Sequence, residues 1–147
     1  MTTFKSTHHT VRKMVIKLGG STLEGLNEAF FRNFKALQDQ GIQLIITHGG
    51  GPAINRELAA ANIQSQTVNG LRVTNEEMIE IVQSTLIGKV NPGLVHELNA
   101  AGIDSVGLNG FDQTLLESEY IDYETYKYVS KVKSVNVNLL NTLTESG

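Results

Sequence analysis

"IITHGGGPAIN", residues 45–55, runs from β-branched residues through a histidine and three consecutive glycines into a proline. Gln43–Thr47 reads as a buried strand, and Pro52 suits the first turn of a helix, where its missing N–H would be unpaired anyway. A strand, a glycine turn and a helix in succession are the unit from which α/β folds are built. Glycines at such a junction have two uses. Backbone N–H groups can converge on a phosphate or carboxylate where no β-carbon intervenes, with the positive end of the helix behind them. Alternatively, the chain needs positive φ to turn. Two known phosphate loops are absent: G-x-x-x-x-G-K-[ST] occurs nowhere, and G-x-G-x-x-G would need glycine where Ile54 stands.

Upstream, Met14-Val15-Ile16 predicts another strand, closing on Lys17-Leu18-Gly19-Gly20. Between the strands, Leu26, Phe30, Phe34 and Leu37 recur at helical spacing to about Gln40, with Gly41 placed as a C-terminal cap. This β-α-β unit predicts a parallel sheet with a right-handed crossover. Downstream, the helix opened by Pro52 runs to about Ala61 with Asn55, Arg56 and Glu57 on its polar face. Residues 66–73 have β-formers on both sides of Asn69-Gly70, a hairpin signal, and Arg72 follows the turn. Thr74 or Asn75 caps the next helix, whose stripe is Met78, Ile79, Val82, Leu86 and Ile87 up to Gly88. Pro92-Gly93 interrupts or restarts it before an end near Gly102. Ile103 to Leu108 predicts a third short strand, residues 114–135 small hairpins, and residues 136–146 a helix. In an alternating chain a strand is due after Gly147, so the expected fold is incomplete.

A chain of 147 residues supports one compact domain. Its 40% hydrophobic and 18% charged residues are ordinary for a globular protein, and a net charge of −3 leaves no basic footprint for nucleic acid. No apolar run approaches the roughly 18 residues of a membrane span, and Met1–Lys13 lacks the apolar stretch of a secretory signal, so the expectation is a cytoplasmic protein that engages neither membrane nor nucleic acid. Without cysteine, disulfide and thiolate chemistry are excluded. His8-His9 has no companion ligands and reads as part of a solvated tail, so no metal site is assigned.

Lys17 stands at the carboxyl end of a parallel strand, the edge where α/β sheets bind ligands, and could offset charge on a transferring phosphoryl group. Its alternative is a packed stem with a solvated head. Arg72, on a hairpin, could grip a carboxylate with two parallel hydrogen bonds, against a solvated strand arginine. His48 and Arg56 are weaker candidates, with His48 most simply a local hydrogen-bonding residue; Glu76-Glu77 at a helix start are dipole-favoured and solvated. Composition and spacing reach an α/β domain with an anion-binding edge.

"IKLGGS" at 16–21, "HGGGPAIN" at 48–55 and "NGLRVT" at 69–74 closely resemble, in order and spacing, the N-terminal half of the acetylglutamate kinases within the amino-acid kinase family. "NGLRVT" is what points to the substrate. The resemblance implies a three-layer αβα fold with a mostly parallel central sheet plus β-hairpins. Residues 1–13 would be a flexible tail, and 14–147 the amino-acid-substrate-binding domain without its ATP-binding half. It further implies that Lys17 stabilises the transition state, that Gly20 and Gly50 offer N–H groups to the phosphoryl, that Gly50-Gly51 also hold the amino-acid substrate, and that Arg72 binds a substrate carboxylate. The implied reaction passes the γ-phosphoryl of ATP to the side-chain carboxylate of N-acetyl-L-glutamate, with Mg2+ assisting, in arginine biosynthesis. A homodimer is implied for the complete protein, and the 147 residues alone are expected to be inactive, because a substrate-binding Asn, an acidic residue and a second lysine fall beyond Gly147. "GLNGFDQ" at 107–113 departs from the family's usual "GLSGKDG", and the short N-terminal tail argues against arginine inhibition through a hexamer. Carbamate, glutamate or aspartate kinases, or a non-catalytic binding or dimerising fragment, are the alternatives.

Overall fold

The structure, a computed structural model, describes residues 12–146. Strands β1 (Arg12–Leu18) and β2 (Ile42–His48) pair in parallel, with Arg12 opposite Ile42 and Leu18 opposite His48. β1 thus begins two residues before the expected Met14; the rest of the expected tail, with His8 and His9, lies outside the described residues. A short turn of helix, α1 (Gly20–Leu23), and the crossover helix α2 (Glu28–Asp39) connect the strands. Asn27 caps α2 by accepting from the Phe30 N–H, and Gly41 ends it at φ +73.

Alternation along the strands builds the layers. Ile16, Leu18, Leu44 and Ile46 face one way and enclose a core with Phe30, Phe31 and Phe34 of α2, Leu94 and Leu98 of the later helix α5 (Asn91–Ala100), and Ile103. On the opposite face, Lys13 Nζ donates to Asn141 Oδ1 and Gln43 Nε2 to the Thr144 carbonyl, both on the last helix, α7 (Val137–Glu145). Helices therefore lie on both faces of a parallel sheet, the expected three-layer α/β arrangement. Among the described residues that sheet has two strands.

A second core lies where α3 (Gly51–Ala60) meets α4 (Glu76–Thr85): Ile54, Leu58 and Met78 are buried, with Ile81, Val82 and Leu86 packed against them. Most of the stripe read in the sequence is therefore spent on α3. Asn75 is the cap, its Oδ1 accepting from the Met78 N–H, while Thr74 is buried. Of the two outcomes expected at Pro92-Gly93 the helix shows a restart, with Pro92 in the first turn of α5, and no interruption. A π-helical turn, Leu86–Val90, carries α4 into α5, and the Asn91 N–H bonds the Leu86 carbonyl five residues back. Widening the helix before a proline is one way to accommodate the missing donor and the ring.

Asn69 (φ +50) and Gly70 (φ +81) turn β3 (Gln66–Val68) into β4 (Leu71–Val73), both central residues having the positive φ that a tight hairpin uses. The expected third strand, Ile103–Leu108, does not form. Side chains meet several of its polar groups where a ladder would have: Asn99 Oδ1 accepts from the Ser105 N–H, Gln38 Nε2 donates to the Asp104 carbonyl, and Asn91 Nδ2 donates to the Leu108 carbonyl. Residues 114–135 hold one hairpin: β5 (Leu116–Tyr120) and β6 (Ser130–Val135), bulged at Glu117/Ser118 and joined through a helical turn, α6 (Tyr123–Tyr126). No helix among the described residues is long and apolar enough to cross a membrane.

Candidate active site

Because β1 and β2 are parallel neighbours, their glycine-rich ends emerge side by side. The Gly49 N–H donates to the Leu18 carbonyl at 3.1 Å. A β-carbon on Gly20 would lie 2.7 Å from both the Gly51 nitrogen and Pro52 Cδ, and one on Gly50 would lie 2.6 Å from Leu86 Cδ2. Positive φ is not the reason for these glycines: among the described residues the glycines with positive φ are Gly41, Gly70 and Gly102. The alternative read from the sequence, a turn needing positive φ, gives way to one of close approach. Gly20 opens α1 and Gly51 opens α3, so their N–H groups belong to first turns that no intrahelical carbonyl reaches. The Ile54 N–H bonds the Gly50 carbonyl and closes the turn behind them. A knot of backbone donors at the start of a ten-residue helix results, suited to an anion.

Lys17 precedes the strand end on the α7 side of the sheet, and its Nζ lies 3.7 Å from where a Gly19 β-carbon would be. The ammonium is therefore bent over the first glycine turn. Arg72, half-buried on β4, donates to Asn55 Oδ1 and Ser65 Oγ. Asn55 lies one turn along α3 from Gly51, so the hairpin arginine is tied to the helix that carries the second glycine turn. Both its partners are uncharged. Other cations near the junction are neutralised: Arg56 pairs with Glu24, and Lys89 with Glu57 at 2.7 Å. Among the described residues no carboxylate lies within ion-pair distance of Lys17 or Arg72.

His48 is half-buried with Nδ1 3.1 Å from the Gly49 carbonyl, the local hydrogen-bonding role its position suggested. Glu76 and Glu77 occupy the exposed first turn of α4. Behind the glycines, Leu23, Ala53, Val90 and Leu94 line a cleft of about 260 Å3 whose floor includes Gly20 and Gly50. Among the described residues no three His, Asp or Glu side chains gather to hold a metal ion.

Four supporting residues carried no signal of a role at the site in the sequence. Asn55 read only as polar surface. Leu86 and Val90, the first and last residues of the π turn, back onto Gly50: a β-carbon there would lie 2.6 Å from Leu86 Cδ2 and 3.3 Å from Val90 Cγ2. Asn91 holds the 107–113 loop: its Nδ2 donates to the Leu108 carbonyl at 3.2 Å, and a β-carbon on Gly107 would lie 2.5 Å from its Oδ1. Within that loop Asp112 Oδ2 accepts from the Asn109 N–H at 2.6 Å.

Comparison with known proteins identifies the family. The profile of the amino acid kinase family matches residues 12–147. Acetylglutamate kinase from Geobacillus kaustophilus (strain HTA426) is 44% identical over 136 residues, 92% of this chain and 53% of that one. The enzyme of the same name from Geobacillus thermodenitrificans (strain NG80-2) is 45% identical over 130 residues, 88% of this chain and 50% of that one. Among solved structures, smu.665 from Streptococcus mutans UA159 superposes with a TM-score of 0.87 at 33% identity, over 91% of this chain and 55% of that one. N-acetylglutamate synthase from Neisseria gonorrhoeae, complexed with coenzyme A and N-acetyl-glutamate, is similar in fold alone, at TM-score 0.68 and 20% identity over 92% of this chain and 32% of that one. The chain spans about half the length of the curated relatives it matches. With a family match that runs from Arg12 to Gly147, the chain belongs to the amino acid kinase family.

Proposed function

We propose that these residues form the acceptor side of an acetylglutamate kinase site, in a cytoplasmic enzyme of arginine biosynthesis that works as a homodimer. Residues from about 14 onward are its amino-acid-substrate domain. The observation that carries this reading is that Lys17, bent over the Gly19 turn, and Arg72, tied through Asn55 to the helix that Gly51 opens, have no carboxylate partner among the described residues. An anionic acceptor and a phosphoryl group complement that arrangement.

In this reading a carboxylate of N-acetyl-L-glutamate docks on Arg72, whose guanidinium has more N–H donors than its two protein bonds use. Gly50 and Gly51 hold the substrate, and Gly20 and Gly50 donate to the γ-phosphoryl of ATP. A side-chain carboxylate oxygen forms the new O–P bond as ADP departs, giving an acyl phosphate. The nucleophile is already an anion, so no general base is required, and the protein's task is positioning and charge neutralisation. Lys17 supplies the neutralising charge at the phosphoryl. Mg2+ is part of the same reading; the described residues gather no cluster of three His, Asp or Glu side chains for it, and nucleotide phosphates would supply its ligands.

Isothermal titration of the protein and its Arg72→Ala variant with N-acetyl-L-glutamate tests the proposal. Loss of about ten- to a hundredfold in affinity is expected from removing a charge-assisted bidentate contact. Equal binding by both proteins would overturn it, as would a preference for unacetylated glutamate or aspartate.

A further inference from the structure

The turn of the β5–β6 hairpin touches the strand that carries Arg72, and it does so at both ends of that strand. Tyr126, the last residue of α6, accepts a hydrogen bond at its phenol oxygen from Asn69 Nδ2, 3.1 Å away, and at its backbone carbonyl from the Thr74 N–H, 3.3 Å away. Asn69 opens the turn before β4, and Thr74 follows its last residue. The Tyr128 N–H then donates to the Thr74 carbonyl at 2.9 Å, completing a parallel bridge between Thr74 and Lys127.

The brace is itself held in shape. Asp122 caps α6, its carboxylate accepting from the N–H groups of Glu124 and Thr125 and from Thr125 Oγ1. Tyr120, Tyr123 and Tyr128 meet edge to face with centroids 5.1 to 6.2 Å apart, and Lys127 Nζ stands 5.5 Å over the Tyr123 ring. By contrast, β3 and β4 are three residues each and largely exposed. A two-stranded ribbon of that size does not hold a fixed position alone. Something outside it must set where the guanidinium points. The bonds from Arg72 to Asn55 and Ser65 anchor one side, and Tyr126 anchors the other.

Resting on the reading of Arg72 above, we propose that Tyr126 is a positioning residue for Arg72: its phenol and carbonyl pin Asn69 and Thr74 and so aim the guanidinium at the substrate carboxylate. It touches no reacting atom.

N-acetyl-L-glutamate binding is measured by calorimetry for the wild type, Tyr126→Phe, Arg72→Lys and the double variant, with thermal unfolding of each and amide exchange at residues 71–73. Tyr126→Phe keeps the ring and the backbone bond and removes only the hydroxyl. It is expected to weaken binding about three- to tenfold, the worth of one hydrogen bond, with little change in melting temperature. Exchange at 71–73 should quicken several-fold. In the Arg72→Lys background the hydroxyl should matter much less, because the fork it aims is gone. An equal loss in both backgrounds overturns the positioning role, as does unaltered binding and exchange in Tyr126→Phe while Arg72→Lys is impaired. If Arg72→Lys binds like the wild type, the failure lies in the reading of Arg72.

Discussion

The Gly20 backbone lies directly against the Gly51 amide: a β-carbon on Gly20 would stand 2.7 Å from that nitrogen, closer than real β-carbons come. The two turns therefore approach this closely only while residue 20 lacks a side chain. Gly20→Ala forces the turns apart, since the obstacles are backbone and a proline ring. A loss of about 1–3 kcal/mol in urea unfolding is expected, together with loss of N-acetyl-L-glutamate binding by calorimetry.

Gly51 makes the opposite case. Nothing lies within 4 Å of a β-carbon built there, and it is the first residue of α3. Gly51→Ala is expected to keep or raise stability, by up to about 1 kcal/mol. Binding should still fall at least about tenfold, a shift of roughly 1.4 kcal/mol, because in the proposed reading the methyl group enters the anion's space. Thermal unfolding and titration of the same sample separate the two effects. Unaltered affinity would remove Gly51 from the substrate contacts.

Lys127 sits at φ +57 and ψ −118, a conformation suited to glycine. Lys127→Gly relieves that strain but loses the contact with Tyr123 and adds freedom to the unfolded chain. A net gain of about 0.5–1 kcal/mol in thermal stability is expected. A drop in melting temperature would mean that the cation over the ring outweighs the strain.

Asp122 titrates below the ordinary carboxylate value of 3.8, chiefly because the Thr125 hydroxyl and then the Thr125 N–H donate to it. The folded carboxyl binds its proton less readily than the unfolded one. Its contribution to stability is therefore complete above pH 3.8 and is lost as pH falls through the lower, folded-state pKa. Urea midpoints of wild type and Asp122→Ala should differ more at about pH 7 than at about pH 2.5. An equal difference at both would show that the cap acts without its charge.

The β-α-β unit was legible because its signals are local: alternating apolar residues, an amphipathic stripe from Leu26 to Leu37, and glycine at each end. Asn69-Gly70 marked its hairpin for the same reason, both residues taking the positive φ the turn requires. Ile103–Leu108 misled because an apolar run says only that a segment is buried. Ile103 is buried at 4% exposure, but the side chains of Gln38, Asn91 and Asn99 bond the segment where a ladder would have. Pro92 left interruption and restart open; the π turn before it, which joins the two helices, is a packing solution that a single residue does not announce.

By itself, the sequence determined the α/β class, the parallel pair, the hairpin, and the residue types at the strand ends, since each follows from backbone preferences and burial patterns a few residues long. The tertiary structure alone decided why glycine stands at 20 and 50, which cations are left without a carboxylate, and that Tyr126 reaches the ends of the strand bearing Arg72. Those are contacts between segments far apart in the chain, and their geometry exists only once helices and sheet have packed.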